Sequence, residues 1–255
     1  MRNILAIAHK ELKSYFSSPI AYIVLGFWAL LYGYFFVAIL SFFVRQSMQM
    51  GQFSGPQALN INQQLIRPLV QNVTILVLFL MPMVTMRTYS EEKRSGTIEL
   101  LLTSPVTDWQ IILGKFLGAM ALYTTMLGVT LIHLAFLFRY GNPEWKPIVT
   151  AYLGLLLLGG CFISLGLFIS SLTKNQIVAG MVTFAVFLLL WVIEWIGSFS
   201  GPTVDSLTQY LSIVGHLDDF GKGVLDTTHL IYYLSFITFG LFLTAKSVDT
   251  ERWRG

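Results

Sequence analysis

The chain has 255 residues, of which 55% are hydrophobic and only 11% charged, with a mean hydropathy of +0.69. Soluble domains carry about a quarter of their residues as charges, so this composition excludes an ordinary water-soluble enzyme and fits an integral membrane protein. The formal net charge is only +3, and no basic cluster interleaves with aromatic residues on a polar stretch, which argues against a nucleic-acid partner.

The first predicted element is amphipathic. Leu5, Ala8, Leu12 and Tyr15 recur at helical spacing, while Arg2, His9, Lys10 and Lys13 supply polar faces. That pattern predicts an interfacial helix lying along the inner leaflet. Pro19 restricts Ser18 and predicts a bend into the first apolar run. The run is far longer than the ~7–15-residue core of a signal peptide, so an uncleaved N-terminus is expected.

Asp, Glu, Lys and Arg are absent from Ser14 to Val44, Pro68 to Met86, Phe116 to Phe138, Pro147 to Thr173, Asn175 to Ile193 and Thr227 to Ala245. Each stretch holds at least 19 residues, and a helix of that length covers roughly 29 Å, close to the ~30 Å hydrocarbon core. Six transmembrane helices follow, expected at about 20–44, 69–87, 110–138, 149–172, 176–199 and 229–246. The expected fold is all-α, one membrane domain over residues 1–255. Runs such as Leu153 to Leu158 and Phe184 to Trp191 are continuous rather than alternating, which argues against a β-barrel.

Positive residues favour the cytoplasmic side of a bilayer. With the N-terminus inside, that side carries Arg2, Lys10, Lys13, Arg87, Lys93, Arg94, Lys115, Lys174, Lys246, Arg252 and Arg254, against Arg45, Arg67, Arg139, Lys146 and Lys222 outside. Both termini are therefore expected in the cytoplasm of a cell whose cytoplasmic membrane holds the chain.

Between the second and third runs lies a charged island, Glu91-Glu92-Lys93-Arg94, followed by Ser95-Gly96-Thr97-Ile98-Glu99-Leu100-Leu101-Leu102-Thr103-Ser104-Pro105. Helical spacing puts Ile98, Leu101 and Leu102 on one face, turns Glu99 and Thr103 away and lets Pro105 end the turn. An amphipathic helix of this kind suits a groove on a soluble partner or the lipid surface equally well. Thr107-Asp108-Trp109-Gln110 matches a capping box for the third span, and Gly114 and Gly118 stand at the G-x-x-x-G spacing that permits close helix contact. The single Cys161 has no partner for an intrachain disulfide and reads as a packing residue.

Catalytic signatures are missing. Gly114-Lys115 is followed by Phe116 and Gly221-Lys222 by Gly223, so no phosphate cradle is encoded, and neither an ATPase nor a bound cofactor is expected in this chain. The four histidines, His9, His133, His216 and His229, are scattered. The spacing of His216-Leu217-Asp218-Asp219 specifies no ligand geometry, so no metal is assigned. Glu194, between Trp191 and Trp195, and His133 each read either as interfacial polar groups or as substrate-path residues. Together with His216, Asp218 and Asp219 they are the candidates for a substrate path or outer gate.

The run Tyr89 to Pro105, followed by Leu113-Gly114-Lys115-Phe116, resembles the segment after the second span in ABC transporter permeases of the type-2 exporter class. The resemblance implies that Gly96 to Pro105 is a coupling helix docked on a separate ATP-binding subunit. It places Glu91, Glu92, Lys93, Arg94, Gly96, Thr97, Ile98, Glu99, Leu101, Leu102, Ser104 and Pro105 at that interface. It further implies an ATPase subunit dimer that uses ATP and Mg, a second permease copy or close paralogue, and short gate helices in the outer loop, for which Leu207 to Leu225 is the candidate. The N-terminal helix is similar to that family's connecting helix. His216 to Asp226, Tyr232-Tyr233-Leu234 and Arg252-Trp253-Arg254 look like the gliding-motility permease subgroup, which brings in an accessory membrane protein. Two other classes compete. An ion-coupled transporter or channel is opposed by the nearly charge-free spans. A membrane scaffold of a surface machinery, or an intramembrane enzyme, is the other, and the enzyme is weakened by the missing constellations.

Overall fold

The computed structural model describes residues 2–53, 60–103, 105–198 and 208–252, and the side chains at 50–53, 101–102, 194–198 and 252 lie outside that description. Helices α1 (Arg2–Ser17), α2 (Pro19–Phe53), α3 (Arg67–Thr85), α4 (Ser90–Ser95), α5 (Thr97–Leu102), α6 (Asp108–Tyr140), α7 (Trp145–Ser171), α8 (Gln176–Ser198), α9 (Gly215–Gly221) and α10 (Thr227–Arg252) follow in chain order. A π-helical turn at Asn62–Ile66 leads into α3, and no strand occurs among the described residues. Among the described residues, six helical stretches are long and apolar enough to cross a membrane: Pro19–Gln49, Asn62–Ser95, Asp108–Tyr140, Trp145–Ser171, Gln176–Ile193 and Thr227–Glu251.

Several helices overrun the expected spans. The first continues to Phe53 and the last to Arg252, because bilayer thickness limits the apolar run and not the helix, which continues into the headgroups wherever its backbone bonds stay internal. The breaks fall at identifiable residues. Ser18 bends between α1 and α2 where Pro19 opens the new helix, since proline disfavours a helical residue before it. Thr107 caps α6, its N–H bonded at 3.3 Å to the Gln110 side chain in a capping box.

α3 and α7 form the centre, burying Val73, Val77 and Met81 against Leu155, Leu158 and Phe162. α2 and α8 lie outside, exposing Phe27, Leu30 and Tyr34, and Val178, Met181 and Leu189, as lipid-facing helices do without cost in hydrocarbon. Close approach depends on small residues: a Cβ on Gly159 would meet the Tyr123 ring at 2.0 Å. The Tyr123 hydroxyl is then satisfied by donating to the Leu155 carbonyl at 2.9 Å. Cys161 is buried, with Sγ 3.5 Å from the Tyr233 carbonyl.

The G-x-x-x-G face of α6 receives α1. A Cβ on Gly114 would lie 2.6 Å from Ile7, and one on Gly118 2.7 Å from Glu11 and 3.2 Å from the Ala8 carbonyl. The N-terminal helix is thus seated against a span along one face.

Candidate functional site

At the end of the bundle that holds α1 and the last turn of α10, the chain builds a charged core beneath the apolar spans. The Lys115 side chain of α6 is 1% exposed, with Nζ 2.9 Å from Glu11 of α1 and 2.9 Å from Glu92 of α4. It donates to the Thr88 carbonyl at 2.9 Å and lies 5.0 Å from the centre of the Tyr89 ring. Glu92 also reaches Lys10 at 3.6 Å, so two carboxylates face two ammonium groups. Burying such charges is costly unless each is paired and hydrogen-bonded. Here the pairing spans three elements, and their mutual positions are set by it.

The backbone around α4 is held the same way. The hydroxyl of Ser170, near the end of α7, accepts the N–H groups of Tyr89 and Ser90 at 3.1 and 3.2 Å and donates to the Met86 carbonyl at 3.0 Å. Arg87 donates to Glu91 at 2.8 Å and to the Ser18 hydroxyl at 3.2 Å. The buried Lys93 pairs with Glu251 of α10 at 2.5 Å, drawing the last span onto the segment. Gly96 follows α4 with φ of 73°, a left-handed conformation that glycine adopts without a Cβ penalty and that ends helices. α5 leaves from this break.

The predicted coupling residues therefore divide. Glu92 and Lys93 are used inside the chain, and Ile98 is 8% exposed and turned inward. Glu91 is partly covered by its pairing with Arg87. Arg94, Gly96, Thr97, Glu99 and Pro105 are exposed. Ser104 and the side chains of Leu101 and Leu102 lie outside the described residues. Helical spacing had not singled out Leu100, which is 73% exposed on α5. It had also not joined Glu11 and Lys115, whose link spans 104 positions; a charge in each of two otherwise apolar faces was the only available sign.

At the opposite end, α9 packs its Leu217 and Phe220 over Gly154 of α7, where a Cβ would meet them at 2.7 and 2.8 Å. Its other side is charged. Arg67, at the start of α3, donates to Asp218 at 2.5 to 2.9 Å. Lys222 pairs with Asp218 at 3.0 Å and Asp219 at 2.8 Å. His229 of α10 meets Asp219 at 2.9 Å and His216 at 2.6 Å. Arg67 and Lys222, two of the positive residues that dissent from an inside position, are thus neutralised by neighbours. Beside this network lies a cavity of about 930 Å³, lined among others by Gln71, Thr74, Trp191, Tyr210, His216 and His229.

Of the outer candidates, His216, Asp218 and Asp219 come together. His133 does not join them: its ring packs against Tyr32 and Phe36 of α2, with centroids 5.1 and 5.0 Å away. The Glu194 side chain lies outside the described residues, as does Leu207 at the start of the expected gate segment.

The acidic residues of α9 have a pH consequence. Burial pulls the Asp218 carboxyl upward, but hydrogen bonds from Arg67 and Lys222 outweigh it and hold the group below its ordinary value. Bonds from Lys222 and His229 lower Asp219 likewise. A carboxyl depressed in the folded state stabilises the fold above its unfolded value, and that contribution is lost as pH falls through the folded value. Melting temperature is therefore expected to fall below about pH 4. Arg67→Ala should melt lower at neutral pH, with a loss of about 1 kcal/mol for a pair about one-third exposed, and show a shallower acid limb. Thermal unfolding across pH in detergent checks both.

The sequence profile of the ABC-2 family transporter proteins matches residues 55–220. The chain belongs to this family. Over 93 residues it is 31% identical to the proteins of Escherichia coli K12 and O157:H7 described as "Probable multidrug ABC transporter permease YbhR". That match covers 36% of this ABC-2 chain and 25% of each relative, so the chain spans about a quarter of the relatives it matches. The aligned family region contains α4, α5, Lys115 and α9 up to Phe220, while Lys10, Glu11, Lys222, His229 and Glu251 lie outside it.

Proposed function

We propose that this ABC-2 chain is the membrane permease of an ATP-driven exporter in the cytoplasmic membrane, driven by a separate ATPase subunit pair and completed by a second permease copy. In this reading both termini face the cytoplasm, and the ATPase docks on the outward residues of the α4–α5 segment: Arg94, Thr97, Glu99 and Leu100. ATP and Mg are bound by the partner.

The observation that carries this reading is the Lys115 core. Glu11, Glu92 and Lys115 tie α1, α4 and α6 together, and Lys93–Glu251 adds α10. A force applied to α5 therefore has a rigid path into the second, third and sixth spans, which a helix resting loosely on lipid would lack. An exposed Leu100 beside charged neighbours is the composition of a helix anchor for a groove.

The cavity at the opposite end mixes aromatic, amide and ionic lining, which suits release of an amphipathic small molecule, and α9 serves as an outer gate helix. The relatives' description as multidrug permeases agrees with such a cargo. A second reading, a permease of a surface machinery with an accessory membrane protein, draws its support from the gliding-motility resemblance of residues 216–226, 232–234 and 252–254.

Purification of the tagged full chain from its own cells in mild detergent tests the main reading. ATP hydrolysis should accompany the wild type and fall at least about tenfold with Leu100→Asp, the cost of removing one well-placed anchor, with melting temperature unchanged. Equal hydrolysis with Leu100→Asp and Glu99→Arg, singly and together, would refute docking on α5.

A further inference from the structure

His216 and His229 hold the clearest unassigned chemistry in the molecule. The carbonyl of Tyr210 faces His216 Nε2 at 3.1 Å; a carbonyl only accepts, so that nitrogen carries a hydrogen. The Asp219 carboxylate, itself paired with Lys222, faces His229 Nε2 at 2.9 Å, and that nitrogen carries a hydrogen for the same reason. Both Nδ1 atoms are left facing each other across 2.6 Å. Two lone pairs at that distance repel, and a single proton between them turns the contact into a charge-assisted hydrogen bond. A tetrahedral metal bound by both nitrogens at ~2.0–2.1 Å would need them about 3.3 Å apart, so the separation favours the proton.

We propose that His216 and His229 form a one-proton site that latches α9 to the last span, so that the adjacent cavity opens when the pair gives up its proton. The bond joins residues on two different elements, and both rings line the cavity. Deprotonation removes one of the two histidine bonds between α9 and α10 and leaves the other, His229 to Asp219 at 2.9 Å, as a bond from a neutral ring. α9 stays packed on α7 through Gly154 and Thr150, which defines a swing about that seat.

The charged and titratable neighbours set the site's capacity. Asp218, Asp219 and Lys222 belong to α9, Arg67 comes from α3, and Asp226 precedes α10. Tyr210, Tyr232 and Tyr233 surround the His216 ring, with Tyr232 at 4.0 Å between centroids. Burial holds His216 below its ordinary value, which opposes a second proton on the pair.

The direct test is nitrogen NMR of histidine-labelled full chain in lipid nanodiscs near neutral pH. A through-bond coupling between the two Nδ1 atoms, absent in His216→Asn, is expected. Two neutral rings without that coupling in the unmutated chain would overturn the proposal, as would a stoichiometric metal that leaves on His216→Asn. The functional arm uses Thr74→Cys in a Cys161→Ala background, labelled by an impermeant maleimide and normalised to Lys146→Cys. Labelling should rise about tenfold from about pH 6 to about pH 9, the shift from losing one hydrogen bond to a charged group. With His229→Gln the normalised rate should be flat, and an unchanged slope in that variant counts against the latch.

Discussion

Lys115→Met is expected to destabilise the folded chain by about 3–5 kcal/mol, because it strands the buried Glu11 carboxylate and the largely covered Glu92 carboxylate. Glu11 and Glu92 each lie 2.9 Å from Nζ, and without the ammonium their mutual repulsion and desolvation have only Lys10, at 3.6 Å from Glu92, to offset them. The Thr88 carbonyl also loses its donor. Thermal unfolding in nanodiscs reads the loss. Methionine keeps the volume of lysine, so packing alone predicts a change under about 1.5 kcal/mol. Adding Glu11→Gln and Glu92→Gln should restore much of the stability, since a neutral core needs no counter-charge. Failure of that rescue would mean that the ammonium matters through its stem. If the core transmits force, the rescued triple variant should remain folded yet couple ATP hydrolysis poorly.

Gly118→Leu is expected to lift α1 from α6 and cost about 1–3 kcal/mol through overpacking, with the loss of the Glu11–Lys115 pair added. A Cβ there would lie 2.7 Å from the Glu11 Cβ and 3.2 Å from the Ala8 carbonyl. Neither neighbour is the far end of a flexible chain, so α1 itself must move. Spin labels on α1 and α6 should separate, and melting temperature should drop. Gly128→Leu, whose Cβ has nothing within 4 Å, is the control and should leave both unchanged. Wild-type label distances in Gly118→Leu would remove the glycine seat as the reason for the contact.

Much of the architecture was legible in the chain. Charge-free runs of 19 or more residues announced six apolar helices because length and hydrophobicity are the whole requirement for crossing a bilayer. Pro19, the Thr107–Gln110 box and the Gly114–Gly118 pair marked a bend, a helix start and a close contact through local backbone rules. Which partner would fill the glycine face was not legible, because small residues permit contact without naming its source. The charged island was readable as a boundary, yet the division of its charges was not. Glu92 and Lys93 look as available in sequence as Arg94, and only the arrival of Lys115 and Glu251 takes them inward. Arg67 and Asp218 sit 151 positions apart, a pairing without a local signal.

By itself, the sequence determined the class of this protein, the number and order of its apolar helices, and the place where charge interrupts them. Those features depend on composition and on neighbours within a few turns. Tertiary structure alone decided that Lys115 binds α1 to α4 and that His216 meets His229. Such contacts depend on helices brought side by side from distant parts of the chain, where a buried charge is tolerated only in the arrangement that pairs it.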